Sequence, residues 1–149
     1  MRAVVTRVTH ARVVFEGVVS GEISHGVMVL VGISPEDTDV DVMYIARKIA
    51  SLRIFDDDAG VMNRSVRDAG GAVLAVSQFT LYGNARKGRR PSYNRAATGD
   101  VARPLFDRLI NALRNEDLHV ETGVFGGPMS VESSNDGPVT ILLSSEGEF

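Results

Sequence analysis

Valine and threonine dominate the first fifteen positions. Met1 to Val8 and Ala11 to Phe15 therefore predict two strands, and Glu16-Gly17 a turn into the next. Val27 to Ile33 is an unbroken apolar run, the pattern of a strand buried on both faces. Ser34-Pro35-Glu36-Asp37 reads as a helix start, with a capping serine, a proline suited to the first helical position and two acids at the positive helix end. Val42, Ile45, Ile49 and Leu52 then recur at helical spacing. Arg53 to Phe55 predicts a short strand, closed by the turn-prone Asp56-Asp57-Asp58-Ala59-Gly60. Ala72 to Leu81 reads as a strand with polar groups at its end, and Tyr82 to Ala97 as a polar loop. Leu105, Leu109 and Leu113 mark a second helix over Val101 to Arg114, which Pro104 either begins or kinks in its first turn. Leu118 to Thr122, Met129 to Ser133 and Val139 to Ser144 predict further strands. Many strands with two interspersed helices give an α+β class: a mainly antiparallel β-barrel or sheet with two helices packed outside, in a single domain over residues 1–149.

Composition narrows the setting. The chain contains no cysteine, so disulfides and thiolate metal sites are excluded and a reducing cytoplasm is the simplest location. The longest apolar stretch is far too short to span a bilayer. Thr6, Arg7, Thr9 and His10 interrupt what would otherwise have to be the apolar core of a signal peptide. The formal net charge of -3 argues against a protein coated in nucleic acid. Yet Arg86, Lys87, Arg89, Arg90 and Arg95 fall between Asn84 and Arg95 with no acid among them. A local basic stripe on an acidic chain suits an enzyme that touches a polyanion at one place.

Three segments carry candidate chemistry. Ser77-Gln78-Phe79-Thr80-Leu81 ends an apolar strand with three hydrogen-bonding side chains. It is either a strand leaving the core, with Gln78 and Thr80 on one face and Phe79 and Leu81 on the other, or a set of donors aimed at an ester carbonyl. Asn135-Asp136-Gly137-Pro138-Val139-Thr140 has the composition of a turn before the last strand. Only about 5–6% of X-Pro bonds are cis, so composition predicts a trans Gly137-Pro138 bond. The arginine-rich loop is either a solvated surface or a phosphate-binding one, with Pro91 and Tyr93 to stiffen it and offer a stacking face. His10, His25 and His119 are isolated and lack metal-ligand spacing, and the Asp56 to Asp58 run lacks the alternation of a calcium loop. No nucleophile elbow, P-loop or GxGxxG is present, so no metal and no cofactor is expected.

The two polar motifs resemble the SQFTL and NxGPVT signatures of the D-aminoacyl-tRNA deacylases. Arg7-Val8-Thr9, Gly21-Glu22-Ile23, Leu52-Arg53-Ile54-Phe55, Met62-Asn63, Lys87-Gly88 with Arg90-Pro91-Ser92-Tyr93, and Thr122 to Gly126 are similar to that family in order and register. The resemblance implies a D-aminoacyl-tRNA deacylase-like fold. It also implies a homodimer whose partner is a tRNA carrying a D-amino acid or glycine, with no DNA and no membrane. Ser77, Gln78, Phe79 and Thr80 become the catalytic residues. Gly137 and Pro138 become substrate-binding residues in cis linkage, projecting into the other subunit's site and oriented by Arg7. With tRNA as the substrate, the basic stripe itself supplies the expected tRNA-binding residues, Arg86, Lys87, Arg89 and Arg90.

Two catalytic schemes fit. Thr80 could attack the ester, but no base stands near it in sequence to activate a weak nucleophile. Alternatively, backbone N–H groups around Gln78, Phe79 and Thr80 hold the carbonyl oxygen while the ribose 2′-OH assists water. The second scheme asks nothing of an absent base. A non-catalytic RNA-binding module and a hydrolase of other D-amino acid esters or amides are the competing readings.

Overall fold

A computed structural model describes residues 1–149. The first two predicted strands are one: β1 runs from Arg2–Phe15. Thr9 and His10 do not break it. They sit on the outer side between buried Val8 and buried Ala11. The turn at Glu16-Gly17, both in the positive-φ region, leads into β2 (Val18–Ile23). β3 (Gly26–Gly32) follows on the same edge of β1 in the same register, so β2 and β3 form one interrupted return arm of a long hairpin.

The expected helix over Ser34-Pro35 begins later. Ser34 instead closes a turn, its N–H donating to Asp37 Oδ2 at 2.7 Å. The helix α1 spans Asp39–Ser51 behind Thr38, whose N–H donates to Asp41 Oδ2 at 2.8 Å. β4 (Phe55–Asp56) and β5 (Met62–Arg64) form a small antiparallel ribbon around the aspartate turn, where Asp57 Oδ1 accepts from Ala59 and Val61 N–H. β6 covers only Ala72–Ser77. The helix α2 starts at Gly99 and is continuous through Pro104 to Arg114. Pro104 sits in the second turn, where its missing N–H leaves only one carbonyl unpaired near the helix start. β7 is Val120–Thr122, and the last two predicted strands merge into β8, Ser130–Ser144.

The sheet is mainly antiparallel, as the sequence predicts, with a parallel portion on one side. β1 pairs antiparallel with β2, β3 and β8, whereas β6 lies parallel to both β3 and β7. β2 also packs against β6 and β7, which nearly closes the sheet into a barrel. Alternation along the central strands explains the unbroken apolar runs. Val27, Val29, Val31, Val73 and Ala75 face the helices, with Ile45, Ile49, Leu109 and Leu113 packed on them. Met28, Leu74 and Val76 point the other way, onto Val8, Val13 and Ile23 inside the barrel. Both faces of β3 and β6 are therefore dry.

Candidate active site

The strand β6 stops where sequence alternation would have carried it on. After Ser77 the chain turns at Gln78 into a short 3₁₀ turn, Phe79–Tyr82. The strand reading of Gln78 to Leu81 is thus corrected, and so is the assignment of Tyr82 to a loop, since Tyr82 is 2% exposed. The reason is tertiary. Gly32 at the end of β3 lets the turn press against the sheet: a Cβ there would lie 2.9 Å from Leu81 Cβ and 3.2 Å from Tyr82 Cδ2. Arg2 holds the turn from its far end, with Nη1 donating to the Leu81 carbonyl at 2.9 Å and the guanidinium 4.3 Å over the Tyr82 ring. Glu148 grips Arg2 through both oxygens at 2.6 Å, which keeps the Glu148 carboxyl below its ordinary pKa. The Tyr82 hydroxyl donates to Glu146 Oε1 at 2.6 Å, and its pKa is raised by burial first and then by that bond.

This support fixes the backbone of the turn. The Gln78 N–H donates to the Val31 carbonyl at 2.7 Å, so it is not free for a ligand, contrary to the expectation from sequence. The N–H groups of Phe79 and Thr80 donate to no acceptor in the chain, as the first donors of a helical turn do. Gln78 Nε2 donates to Thr80 Oγ1.

Ser77, Gln78 and Phe79 open onto a cavity of ≈360 Å³. Its other walls come from Ala97, Gly99 and Ala102 before and within α2, and from the stretch Phe125 to Val131 that leads into β8. None of its twelve lining residues is titratable. Thr80 is not among them, and it is exposed. Sequence reasoning missed the far walls. Phe125 and Gly126 stood within a family-like segment, but nothing in the pattern said that it folds back over Ser77.

The second motif lies elsewhere. Between the pairs Thr6–Thr140 and Val8–Asn135, Arg7 alone on β1 faces four residues of β8, Asp136 to Val139. These four bulge out of the sheet. The Gly137-Pro138 bond is cis, correcting the trans expectation from composition. Gly137 has φ 117, and a Cβ on it would meet Arg7 Nη2 and Val139 Cγ2, each at 2.9 Å. Arg7, 7% exposed, donates from Nη1 to the Ile54 carbonyl at 2.7 Å and from Nε to the Asp136 carbonyl at 3.2 Å. Asp136 Oδ2 is also 3.2 Å from Nε, and Asp56 Oδ1 is 3.6 Å from Nη1. Ser77 pairs with Val31 and Val31 with Ala3, so Arg7 stands four residues along β1 from the Ser77 row, about 13 Å. β8 is one strand further out.

The basic loop adjoins the 3₁₀ turn. Asn84 and Ser92 close its base with two backbone bonds of 2.8 and 2.9 Å. Arg86, Lys87, Arg89 and Arg90 are exposed beyond it and form no ion pair. Arg95, grouped with them by sequence, is neutralised by Glu146 at 2.7 Å and Glu148 at 3.5 Å. Tyr93 is committed to an edge contact with Phe79, ring centroids 5.2 Å apart. No helix is long and apolar enough to cross a membrane.

The profile of the D-Tyr-tRNA(Tyr) deacylase family matches residues 4–144. The chain belongs to this family. It is 56% identical over 149 residues to a D-aminoacyl-tRNA deacylase of Symbiobacterium thermophilum, covering 100% of this chain and 99% of that one. A D-aminoacyl-tRNA deacylase of Thermus aquaticus is 55% identical over 145 residues, covering 97% and 95%. Among solved structures, the c-Myc DNA Unwinding Element Binding Protein superposes with a TM-score of 0.91 at 40% identity, over 97% of this chain and 99% of that one. A probable eukaryotic D-amino acid tRNA deacylase superposes with a TM-score of 0.81 over 95% and 97%; at 18% identity that likeness concerns the fold alone.

Proposed function

We propose that this member of the family hydrolyses the ester joining a D-amino acid, or glycine, to the 3′ end of tRNA. The observation that carries the reading is a cavity with no titratable wall beside two unpaired backbone N–H groups, those of Phe79 and Thr80. Two fixed donors stabilise an oxygen on which negative charge develops, and one such donor is typically worth about 3–4 kcal/mol. Water adds to the carbonyl carbon, the bond to the ribose oxygen breaks, and the water's proton ends on that leaving oxygen. The substrate's 2′-OH is placed to assist, because the pocket itself offers no base. Gln78, with its amide tied to Thr80, orients the substrate.

Discrimination falls to the bulged motif. The D- and L-aminoacyl esters have closely similar intrinsic reactivity, so selection must be steric. A rigid Gly137-Pro138 corner captures the α-amino group and drives an L side chain into backbone. The motif is remote from the Ser77 row of its own chain, and the outer edge of β8 is unpaired. Both features favour a homodimer in which each subunit supplies the motif to the other's cavity. The exposed cations Arg86, Lys87, Arg89 and Arg90 meet tRNA phosphates beside it, in the cytoplasm. Purified protein should release amino acid from D-Tyr-tRNA and leave L-Tyr-tRNA essentially intact. Equal rates on the two esters would overturn the reading. The basic loop by itself also suits a non-catalytic RNA-binding module, which would retard tRNA in a gel and hydrolyse neither.

A further inference from the structure

Phe125 has two sides. One borders the cavity, and the other borders a second depression of ≈490 Å³ that runs along α2. Arg103, Asp107, Asn111 and Arg114 line it. Their spacing puts them in one stripe on the exposed side of the helix. Arg103 sits 5.8 Å over the Phe125 ring and has no carboxylate partner. Arg114 donates one N–H to the Val120 carbonyl at 3.1 Å and keeps its other donors free. Arg108, off this stripe, is by contrast paired with Asp39 at 2.7 Å.

We propose that this furrow seats the single-stranded 3′ end of the tRNA, with Arg103 and Arg114 on phosphates and Asp107 accepting from the amino group of a cytosine. The inference rests on the reading that the ester occupies the cavity. A strand whose last residue lies between Phe79 and Phe125 leaves as an unpaired polyanion, and the furrow continues from the Phe125 wall. Arg103 and Arg114 are eleven residues apart on one helix, about 16 Å, the span of a few unpaired nucleotides. Cations alone would grip any polyanion. A carboxylate set between two arginines repels bare phosphate but accepts well from cytosine N4. The furrow therefore differs in kind from the loop of Arg86 to Arg90, which carries cations only and stands at the Phe79 wall.

Two measurements test it. The first is the KM of wild type and Arg103→Glu on three D-tyrosyl esters: of adenosine, of a short RNA ending in CCA, and of full tRNA. Arg103→Glu should raise KM on the short RNA and on tRNA about tenfold at low salt, with kcat and the adenosine ester unchanged. Lys87→Ala/Arg90→Ala should affect tRNA and spare the short RNA. The second is fluorescence anisotropy with uncharged short RNAs, which needs no turnover. Wild type should bind an end of CCA more tightly than one of UUA, and Asp107→Ala should lose that preference. Equal affinity of wild type and Arg103→Glu for the CCA RNA overturns the furrow, whatever the activity. Wild type inert on all three esters, with Arg103→Glu still impaired in binding, overturns the hydrolase reading and leaves the furrow standing.

Discussion

Arg7 and Asp136 meet twice: the Arg7 Nε lies 3.2 Å from the Asp136 carbonyl oxygen and 3.2 Å from its carboxylate Oδ2. The same guanidinium is anchored on its other side by the Ile54 carbonyl. A buried arginine thus ties the bulge of β8 to the ribbon of β4 and β5.

Arg7→Ala should loosen the bulge and admit L-aminoacyl esters. The buried Ile54 carbonyl and the half-buried Asp136 carbonyl would lose a charged donor, at a cost of about 2–3 kcal/mol in stability. The D/L rate ratio on Tyr-tRNA and urea unfolding measure the two effects. Arg7→Lys should recover little, because one ammonium cannot face Ile54 and Asp136 together. An Arg7→Ala protein with the wild-type D/L ratio would remove Arg7 from selection.

Gly137→Ala should be as damaging to activity as any substitution outside the cavity. The added Cβ meets Arg7 Nη2 and Val139 Cγ2 at 2.9 Å, and φ 117 is a conformation that alanine resists by about 1–3 kcal/mol. Activity on D-Tyr-tRNA should fall by at least about tenfold, while the melting temperature drops by a few degrees. Full activity in Gly137→Ala would show that the bulge need not keep its shape.

Thr80 separates the two chemical schemes. Its hydroxyl accepts from Gln78 and lies outside the cavity wall, so Thr80→Ala should retain measurable single-turnover hydrolysis. A substrate ending in 2′-deoxyadenosine should fail with the wild-type protein. Complete loss in Thr80→Ala, together with normal cleavage of the deoxy substrate, would make Thr80 the nucleophile.

The loop cations should be visible in salt. Lys87→Ala/Arg90→Ala should weaken tRNA binding and reduce the slope of log K against log salt by about 0.7–0.9 for each phosphate no longer neutralised. Titrations at several salt concentrations measure this. An unchanged slope makes the loop a solvated surface.

Acid should release the support behind the 3₁₀ turn. The bond to Arg2 holds the Glu148 carboxyl below its ordinary 4.5. A depressed carboxylate contributes stability that is present above the unfolded value and is lost as pH falls through the folded one. Wild type should therefore lose stability as pH drops below 4.5, and Glu148→Gln should lack that part of the acid dependence and be less stable at pH 7. Thermal melts of both proteins from pH 7 downward compare them. Parallel curves would show that the pair contributes nothing.

The sequence by itself determined what depends on near neighbours. Helical recurrence located α1 and α2, and the double-sided apolar run of Val27 to Val31 required a covered central strand. Two polar motifs and an acid-free basic loop marked the candidate segments for chemistry. Tertiary structure decided what depends on distant partners. Thr9 and His10 could stay within β1 because β8 pairs along that stretch, at Val8 and His10, while β3 pairs as far as Val8 and β2 takes over at Ala11, so polarity there does not mark an end. Ser77 ends its strand because Gly32, forty-five positions earlier, leaves room for a turn that no local pattern announces. Which backbone donors are free followed from that turn: Val31 takes the Gln78 N–H and leaves those of Phe79 and Thr80. The cavity itself joins three stretches, around Ser77, Gly99 and Phe125, and its apolar far wall looks like ordinary core until the chain folds it opposite Ser77, Gln78 and Phe79. The Arg7 bonds are of the same kind, since a buried guanidinium must find its acceptors wherever packing brings carbonyls, here Ile54 and Asp136.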